Sequence, residues 1–357
     1  MMTEMLHHDR SWMELSEFYH GRTIAVTGGA SFIGSHLVEL LVALGAKVTV
    51  GDDLSSGREE HLEHLRSTIR FVKGDLRNAG VATEALAGAD VVFHLAAQHG
   101  GRGYIETHPV ECMNNMVLDH SVFAAAVASG ARKIVLASSA CVYPTTLQAS
   151  ATDRRLLSED DANFETQGKA FADGAYGWAK LMAELQLRAF CEQFGISGVA
   201  CRLFTAYGER ENESHAVVAL IAKAAARLDP FPIWGDGTQT RNFTYVQDTV
   251  MGMATAAARM NGFAVINVGS STHHTILELI EEIFAAGAWR PTEIMKQMDK
   301  PVGVLSRASD NSRCRELLHW EPRTPLAVGV RKTMAWYRSR ATTTSPAELE
   351  RLLTERS

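Results

Sequence analysis

The chain has 357 residues, of which 46% are apolar, and this is enough for a large core in one or two domains. A formal net charge of −6, without clustered lysines and arginines, argues against a nucleic-acid-binding protein, and no apolar run approaches the roughly 18 residues of a membrane span. Five cysteines without paired spacing predict no disulfide framework and no metal site, so we expect a cytoplasmic protein.

The first recognisable unit is a strand, a glycine-rich turn, a helix and a second strand. An apolar run over residues 23–27 leads into Gly28-Gly-Ala-Ser-Phe-Ile-Gly34, and the second strand ends at Asp52. In that context Gly28 permits a tight turn, Gly34 permits close helix–strand packing, and the helix N-terminus offers N–H groups to a pyrophosphate. Asp52 lies where a carboxylate accepts hydrogen bonds from a ribose, which favours NAD over NADP.

Ser31 occupies the middle position of this turn, where the backbone should come closest to the phosphates. Serine fits there if its φ is negative, and we expect a somewhat weaker hold on the cofactor. The alternative interpretation is that these glycines form a packing turn in another kind of α/β protein.

Strand and helix patterns alternate from about residue 22 to residue 204. This alternation predicts the α/β class: a doubly wound parallel sheet (Rossmann) with a smaller C-terminal α/β substrate-binding region. One long helix is expected over Val110–Ser129. The predicted regions are an N-terminal extension with an amphipathic helix (1–20), an NAD-binding domain (21–204, with about 239–262), a substrate-binding region (205–238 and 263–340) and a polar tail (341–357).

Tyr176 and Lys180 are four residues apart on a predicted helix, so both side chains project from one face. A lysine ammonium near a phenol favours the phenolate, and we expect it to lower the pKa of Tyr176 towards working pH. Such a tyrosine can take a proton from a sugar hydroxyl while hydride leaves the same carbon. The pair is common by chance, so its significance depends on the other motifs.

Together these motifs resemble the extended short-chain dehydrogenase/reductases that act on nucleotide sugars. The likeness runs from residue 23 to about residue 337. Besides the glycine turn and the Tyr176/Lys180 pair, it is carried by His94-Leu-Ala-Ala97, Ser138-Ser139-Ala-Cys141-Val-Tyr-Pro144, Arg202-Leu-Phe-Thr-Ala-Tyr-Gly208 and Trp234-Gly-Asp-Gly-Thr-Gln-Thr-Arg241-Asn-Phe-Thr-Tyr-Val246.

The resemblance implies roles for residues of this chain. Ser139 would hydrogen-bond the reacting oxygen beside Tyr176, and Lys180 would also hold the nicotinamide ribose. The implied NAD contacts are Gly28, Ser31, Phe32, Ile33, Gly34, Asp52, Asp75 (to the adenine amine), Leu76, Leu95, Ala96, Ala97, Asn115, Tyr176 and Lys180. The implied contacts to a nucleotide-diphosphate sugar are Gly101, Arg102, Thr205, His215, Trp234, Arg241 and Arg307, of which Arg241 and Arg307 would reach the diphosphate.

Cys141 and His215 narrow the chemistry further. The stretch around Cys141 resembles that of GDP-mannose 3,5-epimerases, and Ser-His215-Ala-Val-Val-Ala-Leu resembles GDP-L-fucose synthases, in which the matching pair exchanges protons at C3 and C5. A ketone at C4 acidifies the neighbouring C–H bonds, and a thiol and an imidazole can both exchange protons near neutrality. The alternatives are a small buried cysteine and a solvent-facing histidine.

The leading hypothesis is an NAD-dependent nucleotide-sugar epimerase, an isomerase that inverts C3, C5 or both through a transient 4-keto sugar, with a GDP-hexose favoured. A UDP- or other NDP-hexose 4-epimerase is the first alternative, and an NDP-uronate decarboxylase stays open because Arg102 could hold a carboxylate. A non-catalytic NAD-sensing protein is a remote alternative.

Apolar stripes on the predicted helices at Val117–Val127 and Leu181–Phe190 suggest a four-helix homodimer interface. The alternative is that both faces pack inside one protomer. We expect neither nucleic acid nor a membrane as a partner.

Overall fold

A computed structural model describes residues 10–340. The predicted N-terminal helix is present as α1 (Arg10–Tyr19), which buries Trp12, Leu15 and Tyr19 against the body of the protein. The Tyr19 hydroxyl donates a 2.8 Å hydrogen bond to the carbonyl of Ala254. Residues 1–9 of the predicted extension and the predicted polar tail at 341–357 lie outside the described residues.

The described chain contains thirteen strands, seven of them in one sheet. They are β1 (Thr23–Thr27), β2 (Lys47–Asp52), β3 (Arg70–Lys73), β4 (Val91–His94), β5 (Lys133–Ser139), β6 (Ser197–Leu203), β7 (Ala206–Tyr207), β8 (Phe231–Trp234), β9 (Thr240–Arg241), β10 (Thr244–Tyr245), β11 (Phe263–Val268), β12 (His274–Thr275) and β13 (Ile294–Gln297).

Eleven α-helices accompany these strands in the described residues. After α1 they are α2 (Phe32–Ala43), α3 (Ala79–Leu86), α4 (Arg102–Thr107), α5 (Pro109–Met113), α6 (Asn115–Ala128), α7 (Gly174–Phe194), α8 (Ala216–Ala225), α9 (Val246–Arg259), α10 (Ile276–Gly287) and α11 (Leu326–Arg340). The single helix predicted over Val110–Ser129 is two helices in the structure, α5 and α6, which are separated at Asn114.

The central sheet is parallel throughout and has the strand order β11-β6-β5-β4-β1-β2-β3. The order of the strands reverses between β1 and β4, and at such a point a crevice forms at the carboxyl ends of the strands. The predicted doubly wound sheet is therefore confirmed. Residues 263–268 belong to the predicted substrate-binding region, but in the structure they form strand β11, which pairs with β6 at the edge of the central sheet.

The remaining strands form three two-stranded ladders, β7–β10, β9–β12 and β8–β13. Helix α10 packs against α8 and α11, and together these helices and ladders cover one end of the central sheet. The division of the chain into a cofactor-binding and a substrate-binding region stays a prediction.

Much of each predicted dimer stripe packs inside the protomer. Helices α6 and α7 contact each other, and Val122, Leu181 and Leu187 are buried. Val117, in contrast, is 57% exposed. The homodimer remains a prediction. None of the helices in residues 10–340 has the length and apolarity needed to cross a membrane.

A buried ion pair joins strand β6 to helix α7. Arg202 donates to both carboxylate oxygens of Glu184, through Nε at 3.0 Å and Nη2 at 2.8 Å. Two further bonds reach the carbonyls of Glu159, at 2.8 Å, and Ala162, at 2.7 Å. Because both carbonyls belong to the connection between β5 and α7, Arg202 fixes that connection beside the helix that carries Tyr176.

Candidate active site and cofactor cleft

A cavity of about 630 Å³ opens at the carboxyl ends of β4, β5 and β6. The structure brings all five predicted catalytic residues to its wall. They are Ser139, at the end of β5; Cys141, in the turn that follows; Tyr176 and Lys180, on α7; and His215, which precedes α8. Residues far apart in the sequence therefore meet because the ends of parallel strands share one edge of the sheet.

Tyr176 and Lys180 lie on the cavity-facing side of α7. Ammonium Nζ of Lys180 is 5.9 Å from the centroid of the Tyr176 ring. Burial raises the pKa of Tyr176, and its hydrogen bond with Ser139 works in the opposite direction. Burial also lowers the pKa of Lys180, so the ammonium form that would stabilise a phenolate is itself less favoured. The predicted lowering of the Tyr176 pKa is therefore not produced by these protein groups, since desolvation outweighs them.

Cys141 is partly exposed to the cavity and contacts a predicted substrate residue. Its backbone N–H donates to Ser139 Oγ at 3.1 Å, which holds the backbone of Cys141 beside that predicted catalytic serine. Nη1 of Arg307 donates to the Cys141 sulfur at 3.5 Å. Gly177 packs closely beneath this turn, because a Cβ there would lie 2.3 Å from the carbonyl oxygen of Cys141. The sulfur thus sits on a rigid support next to a guanidinium group.

His215 faces the cavity with two neighbours that the sequence did not reveal. Its Nδ1 lies 3.0 Å from Oε1 of Glu211, and its ring centroid lies 5.9 Å from that of His99. The His99 ring is in turn 6.3 Å from the ring of Tyr176. The His99 ring therefore lies close to both Tyr176 and His215. Of these two neighbours, only Glu211 has a signal in the sequence, because it precedes His215 by four residues.

Three arginines line the substrate side of the cavity, and two of them contact the carboxylate of Asp173. Nη1 of Arg102 lies 3.0 Å from Asp173 Oδ2, and Nη2 of Arg307 lies 3.2 Å from the same oxygen. Burial and the nearby cations lower the pKa of Arg241 to about 9. This unfavourable crowding of positive charge suits an anionic ligand. Asp173 was not identified from the sequence, because a lone aspartate before a helix carries no distinctive signal.

The other predicted substrate contacts also line the cavity, namely Gly101, Thr205 and Trp234. At Gly101 the two loops that border the cavity come unusually close: a Cβ there would lie 1.9 Å from the carbonyl oxygen of Ser214. The glycine therefore allows the loop after β4 to support the segment that carries His215.

Gly101→Ala should lower kcat/KM by about 10²-fold, the size expected for a displacement of roughly 1 Å at a reacting group. Steady-state kinetics with the nucleotide sugar that the protein turns over would measure this loss. Gly287→Ala is the matched control, because a Cβ at that position meets its nearest atoms at 3.6 Å and needs no rearrangement. Equal activity of Gly101→Ala and the unaltered protein would contradict the inferred loop contact.

The glycine turn has the predicted geometry. Gly28 has a φ of +68°, a left-handed conformation that favours glycine. Gly34 lies in the first turn of α2, and a Cβ there would lie 2.1 Å from the carbonyl oxygen of Gly28. Gly34 thus allows α2 to pack closely on the turn. It lines neither the cavity nor the smaller cleft beside it, which is bordered by Gly28, Asp52 and Leu95.

Ser31 fits the turn with a φ of −78°, as expected for serine in this position. Its hydroxyl donates a 2.6 Å bond to the carbonyl of Gly28 and makes no cap bond to α2. The first-turn N–H groups of α2, at Phe32 and Ile33, therefore lie beside the cavity without a side-chain cap. A helix N-terminus of this kind suits a pyrophosphate.

Asp52 ends β2 beside the same turn and is buried. Its Oδ2 accepts from the N–H of Ala30 at 2.9 Å, and its Oδ1 accepts from the N–H of Leu54 at 2.8 Å. The carboxylate is thereby fixed at the edge of the cleft, where an acidic side chain suits a ribose hydroxyl. The turn, the open helix terminus and this acid together fit a dinucleotide.

Most other predicted cofactor residues border this cleft, namely Asp75, Leu76, Leu95, Ala96 and Ala97. Arg77 forms an ion pair with Asp75: its Nε and Nη2 donate to Oδ2 at 2.9 Å and 2.7 Å, and its Nε also donates to Oδ1 at 3.0 Å. The hydrogen bond from Arg77 lowers the pKa of Asp75, which keeps it ionised as an acceptor.

Asn115, a predicted cofactor contact, binds the backbone of the loop that follows β4. It is fully buried behind the loop that follows β4. Its Oδ1 accepts from the N–H of Gln98 at 2.6 Å, and its Nδ2 donates to the carbonyl of Gln98 at 3.0 Å. Both polar ends of the side chain are thus used to hold the backbone next to His99, and Asn115 acts on the site through that loop.

Comparison with known proteins agrees with this geometry. The family described as "NAD dependent epimerase/dehydratase family" matches residues 24–269. A GDP-mannose 3,5-epimerase of Oryza sativa subsp. japonica is 31% identical over 88% of this chain and 81% of its own length, and a UDP-glucose 4-epimerase of Mycolicibacterium smegmatis is 32% identical over 88% and 98%.

Among solved structures, a dTDP-glucose 4,6-dehydratase of Streptomyces venezuelae with NAD bound is similar at a TM-score of 0.79 and 25% identity, covering 89% of this chain and 97% of that one. The resemblance noted in the sequence is confirmed at the level of the family, and so are NAD as the cofactor and an enzymatic role. The chain belongs to the NAD dependent epimerase/dehydratase family.

Proposed function

We propose that this protein is a nucleotide-sugar epimerase that oxidises C4 of the sugar, inverts C3, C5 or both, and reduces C4 again. The carrying observation is that Cys141 and His215 line the same cavity as Ser139, Tyr176 and Lys180. We favour a GDP-hexose as substrate, and GDP-mannose is the first compound to test, because a GDP-mannose 3,5-epimerase shares 31% identity over most of both chains.

The oxidation step rests on Tyr176, Ser139 and Lys180. Tyr176 takes the proton of the C4 hydroxyl, and the hydrogen bond with Ser139 orients the two oxygens. When bound, NAD⁺ supplies the hydride acceptor and a positive charge that favours the phenolate. Lys180 lies within the same wall of the cavity and holds the ribose.

The inversion step rests on Cys141 and His215. A ketone at C4 makes the C–H bonds at C3 and C5 acidic, and inversion needs a base on one face of the sugar and an acid on the other. A thiolate at Cys141 removes the proton, and the donor bond from Arg307 stabilises the charge on sulfur as it forms. The imidazole of His215 delivers a proton to the opposite face.

The arginines hold the diphosphate in this proposal. Arg241 and Arg307 line the cavity, and guanidinium groups suit phosphate oxygens. Trp234, which lines the same end of the cavity, offers a flat surface to the nucleotide base.

Incubation with GDP-mannose in deuterated water tests the proposal. The recovered sugar should carry deuterium at C3 or C5, as read by NMR and mass spectrometry. Cys141→Ala and His215→Ala should each slow this exchange by roughly 10²–10⁴-fold, while bound NAD is still reduced on adding substrate. Absence of deuterium in sugar that has been turned over would rule the proposal out.

A 4-epimerase is the second candidate, because a UDP-glucose 4-epimerase matches with 32% identity over 98% of its length. In that reaction the hydride that leaves C4 returns to the other face, so no solvent hydrogen enters the sugar. UDP-glucose turned over without deuterium uptake, with undiminished turnover in Cys141→Ala, would favour this reaction.

A further inference from the structure

The environment of His215 is built around one buried carboxylate. Glu211 is only 4% exposed, and its Oε1 lies 3.0 Å from Nδ1 of His215. Its second oxygen, Oε2, has no hydrogen-bond partner among residues 10–340. Burial raises the pKa of Glu211, whereas the hydrogen bond with His215 lowers it. The contact to His215 is therefore the main one that compensates this side chain for loss of water.

The opposite ring nitrogen of His215 is left open. Nε2 is buried and has no hydrogen-bond partner within the described part of the chain. His215 lines the cavity together with Cys141 and Tyr176, and Nε2 is its ring nitrogen that the described residues leave without a partner. An unpaired buried nitrogen costs stability, and such costs are typical of groups that await a ligand.

We propose that Glu211 is a positioning residue that keeps a hydrogen on Nδ1 of His215 and so reserves Nε2 for proton exchange with the sugar. The inference rests on the proposed function, which gives His215 its catalytic role. A carboxylate has only acceptor atoms, so an ionised Glu211 requires Nδ1 to carry the hydrogen. The partner of one ring nitrogen thereby decides the form of the other.

The proton balance follows from this arrangement. In the inversion step the C–H bond breaks as its proton moves to the Cys141 sulfur, and the Nε2–H bond of the imidazolium breaks as its proton moves to carbon from the other face. The Nδ1–H bond to Glu211 persists, and Glu211 itself gains no proton. One proton is later lost from sulfur and one regained at Nε2 through solvent, so no oxidant or reductant is needed.

Glu211→Gln tests the inference because it keeps the shape of the side chain and adds a donor. An amide can donate to Nδ1 and so favour the form with hydrogen on Nε2. We expect solvent deuterium exchange to fall by about 10–10²-fold with KM changed by less than about twofold, and reduction of bound NAD by substrate to persist. Glu211→Asp, which keeps the carboxylate, should recover part of the exchange.

Nitrogen-15 NMR of histidine-labelled protein gives a readout that does not depend on turnover. The His215 signals, assigned by their loss in His215→Asn, should report hydrogen on Nδ1 in the unaltered protein and a shift towards hydrogen on Nε2 in Glu211→Gln. Glu281→Gln is the control, because Glu281 is an exposed carboxylate paired with Arg290. It should change neither the His215 signals nor the exchange.

These outcomes distinguish failure of the proposed function from failure of the proposed role of Glu211. Lack of deuterium exchange in the unaltered protein would remove the proposed function, while the NMR signals would still decide the Glu211 contact. Normal exchange in Glu211→Gln with unchanged His215 signals would overturn the positioning role. An Nδ1 without hydrogen in the unaltered protein would also overturn it, since Glu211 would then be the protonated partner that donates to Nδ1.

Discussion

Tyr176→Phe should lower kcat by roughly 10²–10⁴-fold, the range for loss of a positioned general base. The change removes one oxygen from the wall of the cavity and leaves the ring to pack as before. Because burial raises the pKa of Tyr176, we also expect kcat of the unaltered protein to rise with pH as the phenolate form becomes populated. Steady-state rates across pH with GDP-mannose would measure both effects.

The cofactor provides the control for this experiment. Tyr176→Phe should bind NAD with little change, as measured by calorimetry, because the glycine turn and Asp52 are untouched. It should also show no reduction of bound NAD on adding substrate, in contrast to Cys141→Ala. A rate within about threefold of the unaltered protein would mean that another group abstracts the C4 hydroxyl proton.

Arg202→Met should lower the free energy of unfolding by about 3–5 kcal/mol, the usual cost of removing one partner from a buried ion pair. Arg202 and Glu184 are each less than 5% exposed, and the change leaves the Glu184 carboxylate buried without its main partner. Burial opposes the charge on Arg202, but the pKa of its guanidinium is raised by Glu184, so the pair is held ionised. Chemical denaturation monitored by circular dichroism would measure the loss.

Arg188→Met is the matched control, because Arg188 is an exposed arginine of α7. It pairs with Glu192 on the same helix and with Glu165, which precedes the helix. It should change stability far less, since water already screens its ion pairs. If both variants unfold at the same denaturant concentration, the buried pair does not stabilise the fold as argued. The connection fixed by Arg202 also makes a lower NAD-reduction rate expected in Arg202→Met.

Local patterns were sufficient for the cofactor half of the site. The turn from Gly28 to Gly34 depends on φ values and close contacts within a few residues, so residue type alone indicates it. The Tyr176/Lys180 pair is likewise a property of one helix. The order of strands and helices predicted the parallel sheet, because right-handed crossovers leave few other arrangements.

Long-range contacts explain where the predictions departed from the structure. Asn115 binds the backbone of Gln98, seventeen residues away, which no local pattern indicates. Strand β11 joins the sheet through pairing with β6, more than sixty residues earlier in the chain. The pKa of Tyr176 is set by burial, which depends on everything that packs around the cavity.

By itself the sequence determined the fold class, the cofactor and the residues that can do the chemistry, because strand–turn–helix patterns and residue types are local properties. Only the tertiary structure decided which groups surround those residues: Glu211 beside His215, Asp173 between two arginines, and His99 between Tyr176 and His215. The reason is physical, since hydrogen bonds and desolvation act over a few ångströms in space regardless of distance along the chain.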